Sequence, residues 1–564
     1  MYHRLAYLCG SSKSMKHPSV FFLFIFLLNL LQSAFTDLTG DEALYWMHWN
    51  NLDWGFRDHP PVIGLMIGIG YSVLKNELGV RILCALANAL TIWQLWRISK
   101  PGSFLGFALL VMSIPVFSIY GFMATPDVPL MISAVFYLSA WKNFIEIQNT
   151  KNALLLGMTM AALVWSKYHG LFLILLLLLP VRRLWFNAHF WMAALTGIIL
   201  FSPHIIWQIA NDLPTIKFHL NDRNSDAWEL KHILGYVGGQ FLVFNPVVIV
   251  GVVVLLVKTK PADEFSRSLR WFIVGLFSLF FFNSFRGRVE PHWTAPLALA
   301  IVYLLSQSSI PQLSKAGWKY SLTVFALIVF AGRFALIFDF IPALHRDFHR
   351  DKDKMLAIHE IAGAVPVCFM NSYQNPSLYT FYTRGVSHSI NNIEGGKNQF
   401  DYWRYNEFIH HKPFLFVASY NAPGFEKQSV GKFDFDIRRY EDLPVLHQLY
   451  ILTDDWLHQV RAGDSVRIPA SIINRNSYPL YLKSEEHRIS WFAMFNHKKI
   501  GEANPELIIE GLPSQLASGE SKRIFLKFKV PELKGRNYLM FAAQVDDLPA
   551  TYQSNKLRVM IDSD

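Results

Sequence analysis

Five short segments of this chain carry acidic and basic side chains directly beside long apolar runs. The first segment, Asp41 to Pro61, reads DEALYWMHWNNLDWGFRDHPP. Ionisable groups next to hydrocarbon are costly, so they mark a functional site by default. The candidate residues are Asp41, Glu42, Arg57, Asp58 and His59 in the first segment, Asp127 in ATPDVP, Lys167 and His169 in WSKYHG, Lys217, His219, Asp222 and Arg223 in the fourth segment, and Arg286, Arg288, Glu290 and His292 in RGRVEPHW.

A mixture of carboxylates and cations suits the displacement of a phosphate leaving group. A carboxylate can accept the proton of an incoming hydroxyl, while Arg, Lys and His side chains can hold a phosphate and stabilise the charge that develops on it. The mixture therefore predicts group transfer from a phosphate carried on a membrane lipid. For single residues such as Asp127 and Lys167, a helix cap or an interfacial anchor remains an alternative.

The histidines do not form a compact metal signature. His204, His219 and His232 are spaced unlike any short zinc motif. We therefore predict no metal site from the sequence and leave dependence on a divalent metal open.

The apolar runs that must position these groups are long enough to cross a membrane. The chain has 564 residues, of which 52% are hydrophobic and only 17% are charged, and a span needs about 20 apolar residues. We expect a polytopic α-helical membrane protein with about eleven transmembrane helices, several of them short. The expected spans are 18–35, 80–96, 103–119, 128–141, 152–165, 171–181, 191–207, 234–257, 269–282, 294–305 and 320–338.

Lys and Arg residues fall in every second connection between these runs, which predicts a cytoplasmic amino terminus. The candidate segments and everything after Phe338 then lie outside. We expect the first apolar run to be a retained helix rather than a cleaved signal peptide. The net charge of +10 is explained by the basic residues of the cytoplasmic loops, so no nucleic-acid partner is expected. The same charge favours contact with membrane lipids.

The pattern changes after the last apolar run. Residues 344–445 mix polar helical stretches with short apolar strands, which predicts a small α/β domain. Residues 446–564 show evenly spaced short strands and turns, which predicts a β-sandwich. With the helical domain at 1–343, the sequence predicts three domains, the last two extracytoplasmic. The sandwich is expected to serve packing or partner contact, with glycan binding as the alternative.

Six motifs occur in a fixed order, and together they carry a resemblance. DEALYW, LDWGFRDHPP, TPDVPL, SKYHG, SPHIIWQ and EPHWTAP resemble the polyprenyl-phosphate-sugar glycosyltransferases of the GT-C fold, above all the protein mannosyltransferases and the bacterial lipid A aminoarabinose transferases. The likeness covers roughly Pro18 to Phe338. It implies a bacterial inner-membrane enzyme with periplasmic C-terminal domains, which moves a sugar from a polyprenyl phosphate to a lipid, glycan or protein acceptor with inversion.

The resemblance also implies roles for single residues. Asp41 matches an aspartate that activates or positions the acceptor, and Glu42 and Asp127 join it as catalytic candidates. RDHPP departs from the Glu-Lys-Pro of the aminoarabinose transferases. A neutral His59 would carry no positive charge, so the other cations would have to bind the donor phosphate. The implied donor-phosphate ligands are Arg57, His59, Lys167, Arg286 and Arg288, and the implied acceptor or substrate contacts are Asp58, His169, Glu290 and His292.

Two other functions use similar charges. A transporter or lipid flippase would line a translocation path with them, and a ligase would move a whole glycan from a lipid pyrophosphate. Transporters tend to place ionisable groups near mid-membrane and to show two related halves. Here the charges lie at one face and no duplicated halves are visible, so the sequence favours the transferase and leaves its sugar and its acceptor open.

Overall fold

The computed structural model describes residues 18–211, 213–217, 229–308, 316–391, 397–418, 424–453, 459–495, 505–554 and 556–562, with only the backbone at 217, 346 and 347. His219, Asp222 and Arg223 of the fourth segment lie outside the described residues. The chain divides into two compact units, Met1–His349 and Arg350–Asp564.

The first unit is built from helices, and two 3-10 helices, Arg182–Phe186 and Pro291–Thr294, interrupt them. The helices are α1 Pro18–Ala34, α2 Gly40–Asn50, α3 Val62–Val73, α4 Glu77–Ser99, α5 Phe104–Ser113, α6 Pro115–Phe122, α7 Asp127–Glu146, α8 Thr150–Ser166, α9 Gly170–Leu178, α10 Ala188–Ala210, α11 Pro214–Lys217, α12 Leu230–Phe244, α13 Pro246–Lys258, α14 Glu264–Asn283, α15 Leu297–Ser306, α16 Ala316–Ile337 and α17 Pro342–His349.

The described helices support a multi-pass membrane protein but do not confirm the expected number of spans. Five of them, α4, α7, α10, α14 and α16, are long and apolar enough to cross a membrane. The pairs α5–α6 and α12–α13 pass the same test together but are bent by 71° and 96°, which gives up to seven spans. Two further expected spans, 18–35 and 294–305, are the shorter apolar helices α1 and α15. The third shorter apolar helix, α3, lies in a segment that the sequence did not predict as a span.

Both bends contain a proline, and they are joined to each other. Pro115 begins α6 and Pro246 begins α13, and a proline has no backbone N–H to continue the preceding helix. Asn245 lies at the second bend and donates a hydrogen bond from Nδ2 to the Ser113 carbonyl at the first bend, at 2.7 Å. Its Oδ1 accepts from the Val248 N–H at 2.8 Å. One asparagine thus satisfies a backbone group at each break within the protein, as hydrocarbon requires.

A buried ion pair connects α4 to the start of α2. Arg81 and Glu42 are both 0% exposed, and the guanidinium donates to the two carboxylate oxygens at 2.6 Å each. The same guanidinium donates to the carbonyls of Thr36 and Asp37 at 2.8 and 2.7 Å. Glu42 also caps α2, because its carboxylate accepts from the Thr39 N–H at 3.0 Å. One arginine thereby fixes the chain that enters α2.

A second buried arginine holds α16 against α1. Arg333 donates to Gln32 Oε1 at 2.5 Å and to Asn29 Oδ1 at 2.9 Å. Asn29 in turn donates to Asn88 of α4 at 3.1 Å, and Asn88 donates to the Phe117 carbonyl at 2.9 Å. These contacts link four helices through polar side chains, as is common where helices pack within lipid.

The second unit carries the strands. They are β1 Val367–Met370, β2 Ser387–Ile390, β3 Phe414–Val417, β4 Glu426–Val430, β5 Phe433–Tyr440, β6 Leu449–Thr453, β7 Gln459–Arg461, β8 Ser465–Asn474, β9 Leu480–Tyr481, β10 Ile489–Phe495, β11 Ile508–Glu510, β12 Gln515–Leu516, β13 Ser521–Lys529, β14 Gly535–Val545, β15 Thr551–Tyr552 and β16 Leu557–Asp562, together with helices α18 Asp351–Ala362 and α19 Gln374–Thr383.

These strands confirm the expected β-rich C-terminal region. One sheet has the order β2-β1-β3-β5-β4, with β1 parallel to β2 and β3. Two more sheets, β10-β14-β16-β7 and β11-β13-β8-β6, are mostly antiparallel. Strand β13 shows the period-2 alternation that the sequence displays, since Ile524, Leu526 and Phe528 are buried between exposed neighbours.

One hydrophobic core runs through all three sheets. It includes Phe416 of the first sheet, Leu526 of β13 and Phe541 of β14. The α/β part and the strand-rich part therefore belong to one compact unit, and their division into separate domains at residue 445 stays a prediction.

We predict that Arg81→Gln lowers the free energy of unfolding by about 3–5 kcal/mol, because it leaves the Glu42 carboxylate buried without its partner. The measurement is equilibrium unfolding in detergent micelles. Arg97→Gln is the matched control, since Arg97 lies exposed at the other end of the same helix and its loss should cost about 0.5 kcal/mol or less. Equal effects of the two substitutions would contradict the role given to Arg81.

Candidate active site

Asp127 and Lys167 form a buried ion pair between two helix ends. Asp127 is the first residue of α7, and Lys167 follows the last residue of α8. The Lys167 Nζ lies 2.8 and 2.9 Å from the two Asp127 carboxylate oxygens, and each residue is only 4% exposed. A charge pair enclosed in this way keeps strong electrostatic interactions, because little water screens it.

A third predicted residue, His292, approaches this pair from the 3-10 helix Pro291–Thr294. Its Nε2 lies 3.9 Å from Asp127 Oδ2, and its side chain is 46% exposed. The next residues anchor the 3-10 helix, since Thr294 Oγ1 donates to Gln240 Oε1 of α12 at 2.6 Å. His292 is therefore the solvent-facing member of a cluster whose other two members are enclosed.

His169 lies beside the same cluster through an aromatic contact. Its ring centroid is 5.3 Å from that of Trp293 and 5.7 Å from that of Phe280. His169 belongs to the turn that also carries Lys167, and Trp293 neighbours His292 in sequence. The structure thus brings together four predicted residues from three segments: Asp127, Lys167, His169 and His292.

The two acids at the start of α2 differ in their surroundings. Asp41 is partly exposed, whereas Glu42 is fully buried. Besides Arg81 and Thr39, the Glu42 carboxylate accepts a hydrogen bond from the Ala124 N–H at 2.8 Å. Ala124 stands three residues before Asp127, so Glu42 ties the start of α2 to the turn that leads into α7. This is the geometry of a positioning residue, and Asp41 is the acid of the pair that solvent can reach.

Arg57, Asp58 and His59 lie together in the loop after α2. Arg57 pairs with Asp58 at 3.2 Å, and the Arg57 side chain is largely buried. The His59 ring packs edge-on against Tyr45 of α2, with centroids 5.8 Å apart. Arg57 thus offers an enclosed cation that already has one carboxylate partner.

A hydrogen-bonded network fixes this loop to the Lys167 turn. The Tyr168 hydroxyl is bonded to His204 Nε2 at 2.8 Å and to Thr215 Oγ1 at 3.2 Å. Thr215 donates to the Phe56 carbonyl at 3.3 Å, and His204 Nδ1 is bonded to the Trp54 carbonyl at 2.7 Å. Burial raises the pKa of Tyr168, so its hydroxyl stays protonated and can continue to donate.

The remaining predicted cations, Arg286 and Arg288, are exposed. Arg288 Nε pairs with Glu290 at 3.0 Å, and an exposed pair of this kind contributes little to stability. Both arginines lie in the segment that leads to His292. They can therefore change partners at a small energetic cost, as a cation that meets an incoming ligand must.

Sequence reasoning missed the residues that support the site. Arg81 carried a visible signal, because an arginine inside an apolar run is costly and implies a buried partner. Tyr168, His204 and Gln208 lay within the quoted motifs SKYHG and SPHIIWQ, but their hydrogen bonds join distant segments and have no local pattern.

Comparison with known sequences finds similarity to sugar transferases. The family model described as dolichyl-phosphate-mannose-protein mannosyltransferase matches residues 58–207. The lipid A galacturonosyltransferase RgtD of Rhizobium johnstonii is 22% identical over 283 residues, which cover 47% of this chain and 59% of RgtD. The matched part thus spans less than two thirds of that relative.

Comparison with solved structures extends the likeness to the backbone. ArnT from Cupriavidus metallidurans in the apo state superposes with a TM-score of 0.56 and 12% identity, covering 74% of this chain and 97% of ArnT. The same protein bound to undecaprenyl phosphate gives a TM-score of 0.53 with 13% identity and the same coverage. The resemblance that the six motifs predict is confirmed: the chain is a membrane protein with the GT-C fold, similar in sequence and backbone to the glycosyltransferases built on it.

Proposed function

We propose that this chain is a membrane glycosyltransferase that moves a sugar from a polyprenyl phosphate to an acceptor hydroxyl. The observation that carries the proposal is the convergence of Asp127, Lys167 and His292 from three segments, in a fold shared with a protein that has been crystallised with undecaprenyl phosphate. A buried pair with an exposed histidine at its edge gives a site that is charged, enclosed and open on one side.

The cations of the site are the proposed ligands of the donor phosphate. A lysine ammonium has three N–H donors, and the contacts of Lys167 to the two Asp127 oxygens leave one for a phosphate oxygen. Arg57 supplies a second enclosed cation, and Arg286 and Arg288 supply exposed ones. Together they stabilise the negative charge that the leaving phosphate acquires.

Asp41 is the proposed base for the acceptor. In a single displacement, the acceptor oxygen forms a bond to the anomeric carbon from the side opposite the phosphate, and its proton passes to the Asp41 carboxylate. The bond between the anomeric carbon and the phosphate oxygen breaks, and its electron pair leaves with the lipid phosphate. The reaction inverts the anomeric configuration and needs no soluble nucleotide sugar.

The positions of Lys and Arg along the chain support a cytoplasmic amino terminus, with the site and the second unit on the periplasmic side. The likeness to bacterial proteins supports a bacterial inner membrane. The relative that acts on lipid A favours a lipid acceptor over a glycan or protein. The sugar, a hexose or a pentose, is to be identified by the first experiment.

We predict that Asp41→Asn slows sugar transfer by about 10²–10⁴-fold, the usual contribution of a general base. Mass spectrometry of envelope lipids, glycans and proteins compares cells that carry the wild-type gene, the variant or a deletion. One sugar increment should be absent from both the variant and the deletion strain, and its carrier identifies the acceptor.

The matched control for this experiment is Glu77→Gln, because Glu77 is also a partly exposed acid in the first turn of a helix. It should keep the increment. Both variants must be recovered from the membrane at wild-type levels. An increment that survives Asp41→Asn removes Asp41 from the reaction, and an unchanged deletion strain favours transport or flipping over transfer.

A second prediction separates the stabilising role of the Asp127–Lys167 pair from its role in transfer. Asp127→Asn and Lys167→Met should each cost about 3–5 kcal/mol of stability, because each leaves one buried charge unpaired. The double variant removes both charges and should recover most of that stability, while transfer stays lost in all three proteins. Detergent unfolding and the sugar increment are measured on the same set. A double variant that transfers sugar normally would contradict the proposed donor site.

A further inference from the structure

Two histidine–carboxylate pairs lie side by side in the second unit. His411 Nδ1 is hydrogen-bonded to Asp442 Oδ1, and His487 Nδ1 is hydrogen-bonded to Asp546 Oδ2 at 2.9 Å. The two imidazole centroids are 6.0 Å apart. The ligand atoms of His411, Asp442 and His487 all lie within 4.8 Å of one another. Among the described residues, no other group of three metal-ligating side chains lies this close together.

The strand register builds the first pair. His411 stands shortly before β3 and Asp442 shortly after β5, and these strands are antiparallel with Phe414 opposite Tyr440. The His411 N–H donates to the Leu443 carbonyl at 3.0 Å, which holds the two segments together beyond the sheet. The first pair is therefore fixed at one end of the five-stranded sheet.

The second pair is built in the same way on a different sheet. His487 precedes β10 and Asp546 follows β14, with Ile489 opposite Val545. Asp546 accepts from the Arg488 N–H through Oδ1 at 2.8 Å, so its other oxygen is directed to His487 by the backbone. Four segments of the chain thus bring two imidazoles and two carboxylates to one place.

We propose that His411, Asp442 and His487 bind a divalent transition metal, with Zn²⁺ as the first choice. Imidazole nitrogens and carboxylate oxygens are ordinary zinc ligands. Metal-binding histidines almost always have their second ring nitrogen hydrogen-bonded to a carboxylate or carbonyl, and Asp546 supplies that partner to Nδ1 of His487. The Nε2 atom of His487 is then the ligand, Asp546 orients the ring, and water completes the coordination.

The distances and charges fit this metal. Ligand atoms at about 2.0–2.2 Å from zinc lie roughly 3.4 Å apart in a tetrahedron. The present distances between the ligand atoms, up to 4.8 Å, can shorten by rotation of the side chains. Two of these three side chains are exposed. The two carboxylates balance the charge of the ion, and the nearest basic residues in sequence are Lys412 and Arg488. Asp547, beside the site, is already paired with Arg438.

The bound ion would cross-link two parts of the second unit. One ligand pair belongs to the five-stranded sheet and the other to the sheet β10-β14-β16-β7. The metal would therefore connect two sheets that already share the hydrophobic core and the Arg438–Asp547 ion pair. This role does not depend on sugar transfer, and the result of its test is separate from that of the transferase experiments.

The experiment titrates Zn²⁺ into the full-length protein in detergent, purified without a histidine tag and stripped with EDTA, in competition with a chromogenic zinc chelator. We expect His411→Ala and His487→Ala each to lower zinc affinity by at least 100-fold and the stoichiometry of tight sites by one. Asp546→Asn should lower affinity by about 10–100-fold, as losses of such orienting partners do. Zinc should also raise the midpoint of thermal unfolding of the wild type and not of the histidine variants.

His345→Ala is the matched control. His345 is also bonded through Nδ1 to a carboxylate, Asp339, at 2.6 Å and is similarly exposed, but it belongs to no group of three ligands among the described residues. It should leave zinc binding unchanged. If the double variant His411→Ala, His487→Ala binds zinc with wild-type stoichiometry and affinity, the proposal is wrong. A zinc ion held elsewhere in the chain is recognised because it persists in that variant.

Discussion

The arrangement of the first unit depends on one buried ion pair, Arg81 with Glu42. Two fully buried opposite charges are costly to remove from water, and they are stable here because every described oxygen and nitrogen of the pair meets a partner. The same contacts cap α2, fix the residues before it and hold the turn before Asp127. Such a pair contributes little stability on its own. Here it fixes the positions of both the proposed base and the proposed phosphate site.

Polar contacts give this helical unit its specificity, because apolar surface distinguishes poorly between a neighbouring helix and lipid. Arg333, Asn29 and Asn88 connect helices that are far apart in sequence. The network around Tyr168 and His204 does the same for the loops. A few directional hydrogen bonds thus position the helices and, through them, the loops that carry the reactive groups.

The sequence predicted those features that have a local pattern. Apolar length located the long apolar helices, although α2 and α3 fall outside the expected spans. The alternation at Ile524, Leu526 and Phe528 located a strand of the C-terminal region. It did not predict the breaks before Pro115 and Pro246, because each lies within an apolar run that reads as one span. Nor did it predict that Glu42 is buried while Asp41 is partly exposed, because the burial of Glu42 depends on its tertiary contact with Arg81. The convergence of His411 and His487 likewise follows from strand register that composition does not reveal.

The hydrogen bond from Asn245 to the Ser113 carbonyl has a consequence for how this fold can change over evolutionary time. The second bend satisfies a backbone carbonyl that the first bend releases, so a lineage that straightened α5–α6 would leave the buried Asn245 side chain without this acceptor. The two breaks should therefore be inherited or lost as one unit. Substitutions at positions 113, 115, 245 and 246 would then be correlated among relatives, although Ser113 and Asn245 are separated by 132 residues.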